Sequence, residues 1–160
     1  MKKESQLNEN CSECNCVENA TKGLEYILSE DCTYYIVSGL GSTTDDNIVI
    51  PNYYNNLPVK RIAENAFKNC RNLTSIEIPN SITSIGHFAF CGCGRLASIV
   101  IPNSLTNIGY FAFFSCISLT KIVIPNSVTS IGECALSDCS NLTRIVVAKN
   151  NKFYDSRNDC

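Results

Sequence analysis

The sequence predicts a solenoid of stacked, β-rich repeats, and two observations carry that expectation. The first is a period. Pro79, Pro102 and Pro125 are spaced by 23 residues, and each opens a matching string, the first being PNSITSIGHFAFCGCGRLASIVI. The second is a set of columns in phase with it. One column holds Leu73, Leu96, Leu119 and Leu142; another Ile76, Ile99, Ile122 and Ile145; a third Ile78, Ile101, Ile124 and Val147. A single unit has too little apolar surface to offset the entropy of ordering it. Stacked units place each side chain against its own copy above and below, and a continuous core results.

Each part of the unit has a local reason. Leu73-x-x-Ile76-x-Ile78 alternates over its second half and is β-branched, which reads as a short strand. Successive strands then pair in parallel at about 4.8 Å, and the proline that follows ends the pairing because it has no backbone donor. The Ile-Gly step, as at Ile85-Gly86, turns the chain. Ala89-Phe90-x-x-Cys93 reads as one short helical or 3-10 turn whose phenylalanine fills the core. Further columns follow: Ile62, Ile85, Ile108 and Ile131; Ala66, Ala89, Ala112 and Ala135; Phe67, Phe90, Phe113 and Leu136. An imperfect first copy runs from Pro51 through Val59 to Ile78. It holds five extra residues, Tyr54 to Pro58, and has Ile62-Ala63 at the turn.

The flanks are expected to close the stack. Leu24–Leu28, a turn at Ser29–Cys32 and Tyr34–Val37 read as a β-hairpin covering the first open edge. Cys32 stands where a glycine would ease a positive φ. Residues 148–160 are polar and either fold over the last turn, with Phe153 and Tyr154 as plugs, or lead into a longer array. The expected division is a Cys-containing leader (1–22), a hairpin cap (23–50), repeats (51–147) and a tail (148–160).

The pattern Leu-x-x-Ile-x-Ile-Pro-Asn-Ser-x-Thr-x-Ile-Gly-x-x-Ala-Phe-x-x-Cys resembles the BspA-like, or Treponema pallidum-type, leucine-rich repeats of bacterial surface proteins. It covers roughly Ile48 to Val147. The stretch Gly23-Leu24-Glu25-Tyr26, Thr33-Tyr34-Tyr35 and Ile48-Val49-Ile50-Pro51 is similar to the leader of such proteins. The resemblance implies a leucine-rich-repeat solenoid: a right-handed β/α superhelix, mostly β with short helical or 3-10 turns, of about four repeats. It also implies a non-enzymatic module that binds proteins or mediates adhesion at or beyond the cell surface.

Composition narrows the function classes. At 160 residues the chain suits one domain, and 44% hydrophobic residues are too many for a disordered one. Net charge is −2, and the 13 Lys and Arg form no block that could track a phosphate backbone, so no nucleic-acid partner is expected. No apolar run approaches the ~20 residues needed to cross a bilayer. Met1-Lys2-Lys3-Glu4-Ser5-Gln6 is polar where a secretion signal needs an apolar stretch. The chain is therefore expected to stay inside the cell, to be exported by other means, or to be part of a longer product.

No catalytic residue, cofactor or metal is expected. Eleven cysteines cannot all pair within one chain. Cys70, Cys93, Cys116 and Cys139 form a column, where buried thiols act as small apolar side chains. Cys11-x-x-Cys14-x-Cys16 is half a zinc knuckle that only Cys32 or Cys160 could complete. It supports an alternative function, an intracellular redox- or zinc-responsive scaffold. His87 and Cys91, four residues apart, lack the fixed base and oxyanion donors that an activated thiol needs. Gly86, Gly109 and Gly132 are repeat turns, each without the lysine of a phosphate loop. The Asn-x-Ser/Thr sequons at Asn10, Asn19, Asn72 and Asn141 carry no weight, since Asn-Leu-Thr belongs to the repeat.

A partner is expected on the strand's outward face. Residues flanking Ile76 and Ile78 point away from the core. They form two columns, Ser75, Ser98, Lys121, Arg144 and Glu77, Val100, Val123, Val146. Valine suits any strand, but a run of three beside two cations is also a ligand strip. The expected partner-binding set is Ser98, Val100, Lys121, Val123, Arg144 and Val146. Four strands span only ~15 Å, against ~800 Å² per partner in a standard interface. Phe88, Tyr110 and Phe111, on the turn side, are a second candidate surface.

Overall fold

A computed structural model describes residues 20–155 of the chain. The described residues open with β1 (Glu25–Leu28), β2 (Tyr35–Gly39), β3 (Asn47–Val49), β4 (Tyr53–Tyr54) and β5 (Leu57–Ile62). Strands then alternate from one side of the stack to the other: β6 (Ser75–Glu77), β7 (Ser84–Ile85), β8 (Ser98–Ile99), β9 (Asn107–Ile108), β10 (Lys121–Ile124), β11 (Ser130–Ile131) and β12 (Arg144–Val147). The result is a β-solenoid of about five turns.

The columns are physical. Ile76 pairs with Ile99, and Ile122 with Ile145, in parallel register. This side of the stack carries β3-β6-β8 as one sheet and β10-β12 as another. β3 lies ahead of Pro51 yet pairs with β6 through Ile48 and Ile76, so the first rung begins there. The Leu, Ile, Ala and Phe columns form one core, with Phe67, Phe90 and Phe113 at 0% exposure. Those rings stack at 5.3 Å from one rung to the next.

Two details differ from the sequence expectation. The Ile-Gly step is more than a turn, because Ser84–Ile85, Asn107–Ile108 and Ser130–Ile131 are strands of a second parallel sheet, continuous from β2 through β5, β7 and β9 to β11. Outside it a threonine ladder ties the rungs together. The hydroxyls of Thr83, Thr106 and Thr129 donate to the carbonyls of Lys60, Thr83 and Thr106 at 3.1–3.2 Å. The second correction is that no helix forms among the described residues. The amides of Ala66, Lys68 and Cys70 donate three residues back, while those of Asn65, Phe67 and Asn69 cross to the carbonyls of His87, Ala89 and Cys91 in the next rung. Every second donor is thus taken by the stack, and a helical run cannot propagate.

The two ends of the described stack are held by different bonds. β1 and β2 pair antiparallel and join the second sheet. Their turn is held by Ser29, whose hydroxyl donates to Asp31 at 2.6 Å and accepts the amides of Thr33 and Tyr34. These bonds, with Thr33, hold the Asp31 carboxyl below its ordinary pKa, and Cys32 has the expected positive φ of 56°. At the other end Tyr154 and Asn151 continue the columns of Ile131 and Val128. Asn151 donates to the carbonyls of Pro125 and Val128 at 2.8 and 3.0 Å, and the Tyr154 hydroxyl accepts the Ile131 amide at 2.9 Å. Tyr154 packs on the core as a plug. Phe153 does not; it is 61% exposed. Asn151→Ala removes both bonds, leaving the Val128 carbonyl without its donor while that of Pro125 keeps the Val128 amide, and is expected to cost about 1–3 kcal/mol in denaturant unfolding. A loss below about 0.5 kcal/mol would show that these bonds do not hold the tail.

Candidate protein-binding face

The residue types in the strand decide what faces outward. With Ile122 and Ile124 buried, the alternate positions Lys121 and Val123 of β10 are exposed. β12 lies one rung on in parallel register, with Lys121 beside Arg144 and Val123 beside Val146. Arg144 is exposed and Val146 half-buried. Ser98 is exposed on β8, and Val100, just past it, is 76% exposed. Val100 falls where the sheet divides between β8 and β10. All six expected residues therefore lie on the outward side, as an apolar strip edged by two cations. Sequence reasoning did not anticipate Ile145, which lies in the core column yet is 39% exposed because the last rung is covered on one side only.

The second surface is built of stacked rings. Phe88 lies over Phe111 at 5.1 Å with planes 2° apart, and the Lys68 ammonium sits 5.0 Å from the Phe88 ring centre. Both phenylalanines have left-handed backbones, φ 54° and 53°, a conformation costly for an aromatic residue. Asn65 and Cys134 share it at 58° and 55°, so the rung geometry imposes it on the whole column. Beside them His87 stacks on Tyr110 at 4.8 Å.

That stack also fixes the contacts of His87. Nδ1 of His87 accepts the Tyr110 amide at 2.9 Å, and Nε2 faces Glu64 at 3.8 Å. Both ring nitrogens are engaged away from Cys91. The thiol column is packed as core: Cys93, Cys116 and Cys139 are buried and donate to the carbonyls of Phe67, Phe90 and Phe113 at 3.0–3.2 Å. Burial, and secondarily Cys70, push Cys93 up to about 12, so it stays a neutral thiol near pH 7. The neighbouring Cys139 thiol, and after it burial, raises Cys116 in the same direction. Cys11, Cys14, Cys16 and Cys160 lie outside the described residues. Within them, seven cysteines are free and no group of three His, Cys, Asp or Glu side chains is placed to hold a metal ion. Nor is any helix there long and apolar enough to cross a membrane.

The repeat geometry has close counterparts. A family model described as BspA type Leucine rich repeat region matches residues 60–158 in 6 copies. The chain belongs to this family. As a BspA-type leucine-rich repeat chain it is similar to the solved leucine-rich repeat protein of Treponema pallidum, at 34% identity and TM-score 0.65, over 80% of this chain and 70% of that one. It is also similar to a leucine-rich repeat protein from Bacteroides capillosus, at 26% identity and TM-score 0.69, over 80% and 96%. A third, from Bacteroides ovatus, is 28% identical with TM-score 0.57, over 80% and 40%. Among curated proteins none matches. Repeat proteins of this family and fold are typically non-enzymatic, and membership suggests a protein-interaction or surface module.

Proposed function

We propose that this BspA-type repeat chain is a non-catalytic adhesion module that takes a protein partner on the outward face of the strands carrying the Ile76 column. Val100, Val123 and Val146 supply apolar contact, Lys121 and Arg144 select carboxylates, and Ser98 adds a hydroxyl. The observation that carries this is the exposure of Val100 and Val123, 76% and 41%, on the outward side of the stack, with Lys121 and Arg144 paired beside Val123. Contiguous exposed apolar area of this kind marks interaction surfaces. The partner that fits is an extended acidic segment with apolar side chains, of the sort displayed by host matrix proteins or other cells.

The double variant Val123→Asp, Arg144→Glu tests it in a solid-phase assay on immobilised matrix proteins. Apparent affinity is expected to fall at least about tenfold, or ~1.4 kcal/mol, with an unchanged circular-dichroism spectrum because both residues are exposed. Capture at wild-type strength would move the site off this face.

A further inference from the structure

We infer that the one insertion in the repeat array builds a saccharide site, in which a pyranose bearing a carboxylate rests on Tyr53 with its acid group at Lys22. The five extra residues, Tyr54 to Pro58, form most of a small hairpin. Tyr53 pairs with Pro58 and Tyr54 with Leu57, around Asn55 and Asn56 at φ 46° and 63°. Both turn residues are left-handed, which asparagine tolerates better than most. The stack does not need this hairpin, since Val59 and Ile62 alone fill the core from β5. Insertions in solenoids project as loops on one face, often the one that binds.

What the hairpin makes is a cavity of about 440 Å³, lined among others by Lys22, Tyr26, Pro51, Tyr53, Tyr54 and Asn55. That volume is within the range of small-ligand sites, ~300–1,000 Å³. Its aromatic wall is fixed in advance. Tyr26 stacks on Tyr54 at 4.0 Å with planes 15° apart, and Tyr35 meets both edge-on, at 6.3 and 5.0 Å. Tyr53 joins no ring pair among the described residues and is 48% exposed. A half-wet tyrosine offers an apolar face to the C–H side of a sugar ring and a hydroxyl to its polar rim. The Asn55 amide adds both a donor and an acceptor there.

Charge decides the kind of sugar. Lys22 is the one charged residue lining the cavity, no carboxylate lines it, and Lys22 forms no ion pair among the described residues. A neutral sugar would leave that ammonium with water alone; a uronic acid would meet it.

The test uses the full chain, saturation-transfer NMR, and three probes: glucuronate, glucose and benzoate. Glucuronate is expected to receive saturation at its ring C–H protons, with glucose about fivefold weaker, the worth of one partly exposed ion pair. Tyr53→Ala should abolish the glucuronate signal without moving the thermal midpoint, and Lys22→Gln should reduce glucuronate to the level of glucose. Val123→Asp, Arg144→Glu should bind glucuronate as the parent does, which separates this site from the adhesion face. No transfer to glucuronate, an undiminished signal in Tyr53→Ala, or benzoate binding above glucuronate would each overturn the assignment.

Discussion

Phe90→Ala is expected to destabilise the chain by about 3–5 kcal/mol, the cost of emptying a buried aromatic position. Phe90 is sandwiched between Phe67 and Phe113, both rings 5.3 Å away and nearly parallel to it. Its removal takes away two stacking contacts and leaves a hole that the flanking rungs cannot close without breaking their own hydrogen bonds. The amide of Phe90 is tied to Ala112, and that of Phe67 to Ala89. Leu136, last in the same column and only half-buried, is the internal comparison. With less area covered, Leu136→Ala should cost no more than about 2 kcal/mol. Denaturant melts of both variants check the order, and a Phe90→Ala protein as stable as the parent would remove the ring from the core.

Gly109→Ala is expected to cost about 3 kcal/mol for the opposite reason, overcrowding. A Cβ at this position would lie 2.6 Å from the carbonyl carbon of Gly86 and from the amide nitrogen of His87. Both are backbone atoms of the preceding rung, so neither can swing aside. The methyl group must push two rungs apart. Gly94 is the control, because a Cβ there meets only the Ile117 side chain, at 3.5 and 3.7 Å. Gly94→Ala should leave the thermal midpoint within a degree or two, while Gly109→Ala lowers it by several degrees. Equal effects would show that the glycine column does not mark a close approach of backbones.

Period and columns were enough to locate the core residue by residue, because stacking forces equivalent side chains into one environment. Ile76, Phe90 and Leu96 could be assigned inward on spacing alone. The hairpin was legible from Leu24–Leu28 and Tyr34–Val37, and the strained Cys32 from its place in the turn. Less legible was which hydrogen bonds satisfy the turn segment. Ala-Phe-x-x-Cys suits a helical turn by local preference, but its amides at Asn65, Phe67 and Asn69 bond to the next rung, and a local pattern carries no sign of that. Two-residue strands such as Ser84–Ile85 are too short to show alternation. The bonding of Asn151 to the last turn had a signal in the sequence: counting 23 residues on from Val128 lands there, and from Ile131 on Tyr154.

On the candidate face, alternation placed Lys121, Val123 and Arg144 outward correctly, since a strand has only two sides. The division of the sheet beside Val100 left no trace in the sequence. The tyrosine cavity was foreshadowed only by the break in period at Tyr54 to Pro58; its lining comes from two segments, 20–26 and 51–55, that the linear order keeps apart.

Like side chains nested from rung to rung underlie both the fold and the two surfaces. Methyl NOE spectroscopy on isoleucine-labelled protein tests this most directly. Contacts are predicted between Ile76 and Ile99 and between Ile122 and Ile145, each pair being in register, with none between Ile76 and Ile122, two rungs apart. Methyl groups of Ile76 and Ile99 that share no cross-peak, or an Ile76–Ile122 contact in their place, would contradict it.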